Sequence, residues 1–141
     1  MVQSFFENMT NFLSLDFGTK NIGLGIARGP LAEPYRILQG EWQKKANWPM
    51  AIAQIQQICR QEGINRLIIG LSEGKMADLT REFAVKLRTQ TGLPIDFIDE
   101  ALSSYEMREK LLAIKHRRRH RLIDDLVAAQ LLQNYLDEQK K

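Results

Sequence analysis

The chain has 141 residues with a formal net charge of +3, and it is 44% hydrophobic and 26% charged. These values are typical of one folded domain of ordinary size and exclude a chain that is disordered throughout. No apolar run approaches the roughly 20 residues that a membrane-spanning helix needs, so we expect no membrane partner. Cys59 is the only cysteine, which excludes an intrachain disulfide and favours a reducing, cytoplasmic location.

The N-terminal part of the chain predicts three strands. Residues 11–17 alternate apolar and polar side chains, and Asp16 interrupts this stretch close to its C-terminal end. A second apolar run, at residues 22–27, follows after a short turn, so the two runs should pair as a hairpin. Residues 28–34 contain Gly and Pro and are expected to form a loop, and residues 35–42 are expected to form the third strand.

The rest of the chain predicts helices that alternate with strands. The predicted segments are a helix at 48–61, a strand at 64–71, a helix at about 77–90, a strand at 93–100, a helix at about 103–116 and a helix at 122–139. Each of the two later strands follows a helix and should therefore lie parallel to the first strand. The pattern indicates an α/β fold in a single domain, residues 1–141, in which residues 1–10 form a short N-terminal extension.

Three acidic residues are the candidate catalytic residues and metal ligands: Asp16, Glu100 and Asp124. Asp16 and Glu100 fall near the C-terminal ends of predicted strands, and parallel α/β sheets bind their ligands at that edge. Asp124 begins an apolar stripe of the last helix, where a carboxylate without a counter-charge is costly. Three carboxylates around one point suit Mg²⁺ or Mn²⁺, which stabilise phosphoryl displacement. The pattern predicts a divalent-metal site that cuts nucleic acid.

The neighbouring Asp125 is an alternative to Asp124. Both residues stand at the start of the last helix, and each begins an apolar stripe along it. Successive helical residues point about 100° apart, so only one of the two can face the sheet well. The spacing alone leaves this choice open.

Cationic side chains are the candidate contacts for nucleic acid. A basic run within residues 115–121 contains Lys115, Arg117, Arg118, Arg119 and Arg121. The basic run would contact the substrate backbone, with a solvated loop or a helix C-terminus as the alternatives. In the turn after the first strand, Thr19 and Lys20 could present a hydroxyl and a cation to a phosphate, with an ordinary exposed turn as the alternative.

Four motifs, in order, resemble the YqgF (RuvX) family from residue 12 to about residue 136. They are Asp16-Phe17-Gly18-Thr19-Lys20 with Ile22-Gly23, then Leu67-Ile68-Ile69-Gly70-Leu71, then Asp99-Glu100 with Leu102-Ser103, then Ile123-Asp124 before an alanine-rich helix. The resemblance implies an RNase H-like fold, with a five-stranded mixed sheet in order 3-2-1-4-5, strand 2 antiparallel and helices on both faces. It assigns the family's acidic triad to Asp16, Glu100 and Asp124, and so favours Asp124 over Asp125.

The resemblance also implies a function. It predicts a hydrolase that cleaves phosphodiester bonds and matures the 5′ end of the 16S ribosomal RNA precursor. Resolution of Holliday junctions is the older proposal for the family. The expected partner is therefore nucleic acid, either rRNA precursor or branched DNA, and the expected oligomeric state is a monomer or a homodimer.

The chain departs from the family pattern at two places beside the predicted active edge. Residues 70–74 read Gly-Leu-Ser-Glu-Gly where the family usually has a Gly-Leu-Pro-Leu loop, and Ala101 stands where the family usually has Arg. These departures favour an alternative without catalysis, a nucleic-acid-binding module in transcription or ribosome assembly.

A nucleotide-binding ATPase is the third possibility, because the Asp-x-Gly-Thr turn also occurs in actin-like and sugar-kinase ATPases. Those proteins close a second domain over the nucleotide, and 141 residues hold only one domain. We therefore expect no ATP binding.

Overall fold

The structure is a computed structural model that describes residues 10–100, 109, 113 and 122–139. Its strands are β1 (Phe12–Phe17), β2 (Asn21–Ala27), β3 (Ala32–Gln39), β4 (Arg66–Leu71) and β5 (Ile95–Asp99). Its helices are α1 (Trp48–Glu62), α2 (Gly74–Thr91) and α3 (Asp124–Gln139), and a 3-10 turn at Lys45–Asn47 precedes α1. None of the helices in these residues is both long enough and apolar enough to cross a membrane.

The five strands form one sheet in the order β3-β2-β1-β4-β5. β2 runs antiparallel to β1 and β3, whereas β4 is parallel to β1 and β5 is parallel to β4. A tight turn between β1 and β2 makes the hairpin, and the crossovers through α1 and α2 return the chain in the same direction for each later strand. The predicted strand order and the antiparallel second strand are confirmed.

Helices cover both faces of the sheet. α1 and α2 pack on one face around the larger core, in which Leu15, Ile55 and Phe83 are fully buried. α3 packs on the opposite face against a smaller cluster that includes Ile68 and Leu132. Since consecutive strand residues point to opposite faces, every second residue of β1 faces α3.

β3 differs from its predicted bounds. It spans Ala32–Gln39 rather than residues 35–42, so the predicted loop over residues 28–34 was too long. Pro34 is tolerated because β3 lies at the edge of the sheet, and because Pro34 pairs with Gly25 where the register with β2 shifts. Pro34 would disrupt a strand in the centre of the sheet, but it is compatible with the edge strand β3.

Other boundaries moved by a few residues. α2 begins at Gly74 rather than at about residue 77. Of the helix predicted at 103–116, Glu109 and Ala113 are described, and both are helical. Ala101, the basic run and residues 1–9 lie outside the described residues. The single domain over residues 1–141 and its N-terminal extension remain predictions.

Candidate active site

Asp16 is the penultimate residue of β1 and lies on the sheet face that α3 covers. Its neighbours Leu15 and Phe17 are buried in the larger core on the other face, while Asp16 itself is partly buried. Its partner in β2 is Gly23, which has no side chain to fill the space above the strand. The apolar strand therefore holds one carboxyl group at a defined position beneath the start of α3.

Aromatic packing on the opposite face anchors this end of β1. The ring centroid of Phe17 lies 4.5 Å from that of Phe83 and 6.0 Å from that of Trp48. The rings of Trp48 and Phe83 are 5.4 Å apart, and both residues are fully buried. Such ring pairs contribute ~0.5–1.5 kcal/mol beyond the area they bury. This packing on the face covered by α1 and α2 therefore fixes the position of the backbone that carries Asp16.

Small residues on the strands let the N-terminal end of α3 approach the sheet closely. A Cβ atom on Gly23 would lie 1.9 Å from the carbonyl oxygen of Asp124 and 2.9 Å from its Cβ atom. Farther along the same face, the buried Ser14 hydroxyl donates a hydrogen bond of 2.6 Å to the carbonyl of Ala128. Asp124 consequently lies against the strand residue that pairs with Asp16.

Glu100 is the first residue after β5, and its side chain reaches over β4. A Cβ atom on Gly70 would lie 2.9 Å from Glu100 Oε1, so this glycine leaves the space that the carboxyl group occupies. The carboxyl groups of Glu100 and Asp16 are hydrogen-bonded to each other. Two of the three predicted acidic residues are therefore in direct contact.

The electrostatics of Asp16 reflect this crowding. Burial is the largest cause that raises the pKa of Asp16 from 3.8 to about 8, followed by the charge of Glu100, the hydrogen bond to Glu100 and the charge of Asp124. A hydrogen bond between two carboxyl groups needs one proton, and the raised pKa of Asp16 favours its neutral form when no cation is bound. The structure thus brings Asp16, Glu100 and Asp124 into one electrostatic cluster.

The donor atoms of this cluster suit a divalent cation. They are carboxylate oxygens, which Mg²⁺ and Mn²⁺ prefer to nitrogen or sulfur, and a cation would neutralise the charges that now retain a proton on Asp16. Within the described part of the chain, no set of three or more His, Cys, Asp or Glu side chains is arranged as a metal site. The arrangement is a hydrogen-bonded pair, Asp16 and Glu100, with Asp124 as a third charge nearby.

The two acidic residues at the start of α3 differ in their positions. Oδ1 of Asp125 accepts a hydrogen bond of 3.0 Å from the N–H of Leu126, a local contact at the helix N-terminus. Asp124 instead has its Cβ atom next to Gly23, and its charge acts on Asp16. This placement agrees with the choice of Asp124 that the resemblance implied. The catalytic role of Asp124 stays a prediction.

Thr19 and Lys20 are exposed in the turn between β1 and β2. The carbonyl of Thr19 accepts a hydrogen bond of 2.6 Å from the N–H of Trp42, which ties the turn to the segment after β3. Gly18 permits the turn, because a Cβ atom there would lie 2.7 Å from the carbonyl oxygen of Asn21. The turn stands at the C-terminal end of β1, beside the acidic cluster, and phosphate binding by Thr19 and Lys20 stays a prediction.

Sequence reasoning missed the contribution of Gly23 and Gly70 to the site. A signal was present, since glycine inside a strand indicates the close approach of another group. The strand pattern does not say which group approaches. The basic run lies outside the described residues, so its proposed contact with substrate also stays a prediction.

The sequence is similar to proteins of one family. A family model described as "RuvX: Holliday junction resolvase" matches residues 10–138. A protein of Thermosynechococcus vestitus is 33% identical over 139 residues, which cover 92% of this chain and 89% of the relative. A protein of Moorella thermoacetica is also 33% identical, over 89% of this chain and 93% of the relative. Both relatives are named "Putative pre-16S rRNA nuclease".

Solved structures share the fold of the chain. RuvC of T. thermophilus, in complex with a Holliday junction substrate, matches with a TM-score of 0.63 at 14% identity, over 93% of this chain and 96% of that one. The Fowlpox virus resolvase, in complex with Holliday junction DNA, matches with a TM-score of 0.59 at 16% identity, over 94% and 100% of the two chains. At these identities the likeness shows the fold alone. The predicted RNase H-like fold is confirmed.

Proposed function

The chain belongs to the RuvX family, and from that premise we propose that it is a divalent-metal-dependent nuclease that hydrolyses phosphodiester bonds. The observation that carries the proposal is the carboxyl group of Asp16, which is hydrogen-bonded to Glu100 and lies within range of the charge of Asp124. Three acids that converge at the ligand-binding edge of a parallel sheet are unfavourable for the fold alone. They become compatible with one another when a cation shares them.

Asp16 and Glu100 would hold Mg²⁺ or Mn²⁺, with Asp124 as the third carboxylate. When bound, the cation lowers the pKa of water and offsets charge on the phosphate. Asp16 gives up its proton on binding, since a carboxylate ligand must be ionised. The aromatic packing under β1 and the docked start of α3 hold the carboxylates in place, so the scissile phosphate meets groups that need little reorganisation.

The 5′ end of the 16S ribosomal RNA precursor is the substrate we favour. The two relatives at 33% identity carry that RNA in their names, and each alignment covers about nine-tenths of both chains. The partner is then nucleic acid, whose phosphates would meet Thr19, Lys20 and the basic run. A cytoplasmic location fits this substrate and fits Cys59, which is a buried free thiol.

A four-way DNA junction is the second candidate substrate, because the matching family model is described as a Holliday junction resolvase. It presents the same phosphodiester group to the same carboxylates. A resolvase that cuts two strands symmetrically needs two active sites, so this candidate requires a homodimer. Trimming of an RNA end is compatible with a monomer.

A cleavage panel tests the proposal. Wild type and Asp16→Asn protein are incubated with Mg²⁺, Mn²⁺ or EDTA and with three substrates: an RNA that spans the 5′ maturation site, an unrelated single-stranded RNA and a four-way junction. We expect metal-dependent cleavage of the precursor by wild type alone. Cleavage of the junction only would favour the second candidate. Equal RNA binding with and without EDTA, combined with no cleavage of any substrate, would replace the nuclease by a non-catalytic binding module.

A further inference from the structure

Phe97 is an exposed aromatic residue close to the candidate active site. It lies in β5, three residues before Glu100, and 43% of its surface is exposed. Its partner in β4 is Ile69, which belongs to the larger core, so Phe97 is on the sheet face that α1 and α2 cover. An extended strand rises ~3.3 Å per residue, which places Phe97 ~10 Å from Glu100 along the chain.

Two hollows meet at Phe97. The first, of about 320 Å³, extends toward the C-terminal ends of β4 and β5, where Glu100 follows β5, and Glu73 and Asp99 contribute to its lining. The second, of about 230 Å³, runs along α2, and Arg88 contributes to its lining. Phe97 and Arg81 line both hollows. The aromatic ring is therefore reached from two sides, with a guanidinium group at the junction.

Charge differs between the two sides of the ring. Arg81 and Arg88 are seven residues apart on α2, which is about two helical turns and ~10 Å, and both are exposed. Arg81 has Asp78 at 3.5 Å, but exposed pairs of this kind contribute little and can be exchanged for another anion. Glu73 and Asp99 lie on the other side. A phosphate is favoured on the arginine side and disfavoured on the carboxylate side.

We propose that Phe97, Arg81 and Arg88 form a binding site for single-stranded nucleic acid. One base stacks on the ring of Phe97, and the adjoining phosphates contact Arg81 and Arg88. An aromatic ring beside cations is the combination that binds single strands without sequence preference, since every base has a flat face and every nucleotide carries a phosphate. A duplex keeps its bases stacked on one another and cannot use the ring in this way.

The site deepens the proposed function and rests on it, because it would hold a single-stranded flank of a substrate that is cut at Asp16 and Glu100. The first hollow leads from Phe97 to the C-terminal ends of β4 and β5. A strand that leaves the end of β5 beside Glu100 can therefore continue around this end of the sheet to the ring. Arg81 lines the same hollow and offsets the negative charge of Glu73 and Asp99 along that path. The requirement for an unpaired flank distinguishes a precursor end from a fully paired DNA arm.

Binding in EDTA tests the site apart from catalysis. The probe is a fluorescently labelled oligonucleotide of about 12 nucleotides, within the usual range for single-strand sites, as RNA or as DNA, with a duplex of the same sequence alongside. Phe97→Ala should weaken single-strand binding by about 5- to 100-fold, and Phe97→Tyr should restore it. Arg88→Gln should reduce the slope of log affinity against log salt by about 0.7.

Controls separate stacking from a change of fold. Leu31→Ala and Arg60→Gln alter exposed residues that do not line either hollow, and both should bind like wild type. An oligonucleotide without bases should bind wild type and Phe97→Ala protein with equal affinity. It has no base that could stack on the ring of Phe97, so removal of the ring should not matter. If Phe97→Ala weakens binding of the oligonucleotide without bases as much as it weakens binding of the ordinary single strand, the proposal is overturned.

Unchanged single-strand binding by Phe97→Ala would also overturn it while leaving the proposed nuclease in place. If single-strand binding is unchanged while wild type self-associates in sedimentation and Phe97→Ala protein does not, the surface around Phe97 is assigned to contact with a second copy of the chain. If wild type binds neither single strands, duplex nor precursor RNA, both this inference and the proposed function fail.

Discussion

Asp124 lies directly on Gly23, so that a Cβ atom at residue 23 would be 1.9 Å from the carbonyl oxygen of Asp124. Gly23 is also the β2 partner of Asp16. The close approach of helix and strand at this point sets the distance between two acidic residues that are far apart in sequence. The electrostatic contact of Asp124 with Asp16 thus depends on a residue that has no functional group.

Gly23→Ala should lower both the free energy of unfolding and the affinity for Mn²⁺. The added methyl group overlaps the backbone of Asp124, so the start of α3 must move away from the strand. Overpacking of this kind costs ~1–3 kcal/mol. Urea unfolding measures the first effect, and calorimetric titration with Mn²⁺ on folded protein measures the second.

Two variants serve as controls for this prediction. Gly29→Ala should change neither quantity, since nothing lies within 4 Å of a Cβ atom there. Ser14→Ala removes the hydrogen bond to Ala128 and should cost ~1 kcal/mol without crowding the helix, so Mn²⁺ affinity should persist. Wild-type Mn²⁺ affinity in Gly23→Ala protein would contradict the positioning role of Gly23.

The protein without metal should lose stability as the pH rises from about 4 to about 8. The pKa of Asp16 is raised from 3.8 to about 8, chiefly by burial, so in this window the folded state binds a proton that the unfolded state has released. The free energy of unfolding then falls with rising pH, by at most ~1.4 kcal/mol per pH unit for one proton. Urea unfolding in EDTA at several pH values measures the slope.

The matched variant for this pH dependence is Asp16→Asn, which has no titrating group at residue 16. Its stability relative to wild type should increase toward pH 8. Mn²⁺ should flatten the wild-type profile, because the cation replaces the proton. A stability difference between the two proteins that is the same at pH 5 and pH 8 would show that Asp16 has an ordinary pKa.

Asp16→Asn should abolish metal-dependent cleavage and leave the fold intact. The amide has nearly the shape of the neutral carboxyl group and can still donate a hydrogen bond to Glu100, but it supplies no charge to a cation. Circular dichroism checks the fold, and cleavage is measured while Mn²⁺ is titrated. Retained cleavage by protein free of contaminating nuclease would exclude Asp16 from catalysis.

The directions of the later strands and the position of Asp16 could be predicted from the sequence because both follow from local rules, whereas the order of the strands was implied by the family resemblance. Alternation of side chains identifies β1, and a helix between two strands makes them parallel. The contact between Gly23 and Asp124 follows no local rule, since it depends on how α3 docks on the sheet. The hydrogen bond between Asp16 and Glu100 likewise requires the register of β4 between them.

Phe97 illustrates a different reason why the sequence was insufficient. Ile95, Phe97 and Ile98 are all apolar residues of one short strand, and alternation assigns each to a face without saying whether a helix covers it. Ile98 is buried, whereas Phe97 is exposed. Whether a strand residue is exposed depends on the elements that pack over it, and the pattern of the strand itself does not record this. Phe97, which we assign to substrate binding, therefore looks like a core residue in the sequence.

The basic run should bind the substrate backbone without taking part in cleavage. Replacing Arg117, Arg118 and Arg119 with Ala should weaken binding across all sequences and flatten the salt dependence, by roughly one unit of slope for each lost phosphate contact. Anisotropy titrations over a range of salt concentrations measure the slope. An unchanged slope would mean that the basic run is only a solvated segment.

Asp124→Asn should eliminate cleavage, whereas Asp125→Asn should reduce it by at most a modest factor. Asp124 has its Cβ atom beside Gly23, and its charge contributes to the raised pKa of Asp16. Asp125 accepts a hydrogen bond from the N–H of Leu126, so its removal costs some helix stability and weakens the local negative field. The two variants carry the same change of charge at adjacent residues, and each is therefore the control for the other. Cleavage is compared on folded samples matched by circular dichroism, with Mn²⁺ titrated for each variant. If Asp125→Asn is inactive while Asp124→Asn cuts at the wild-type rate, the third carboxylate of the site is Asp125, and the position of Asp124 against Gly23 serves only the packing of α3.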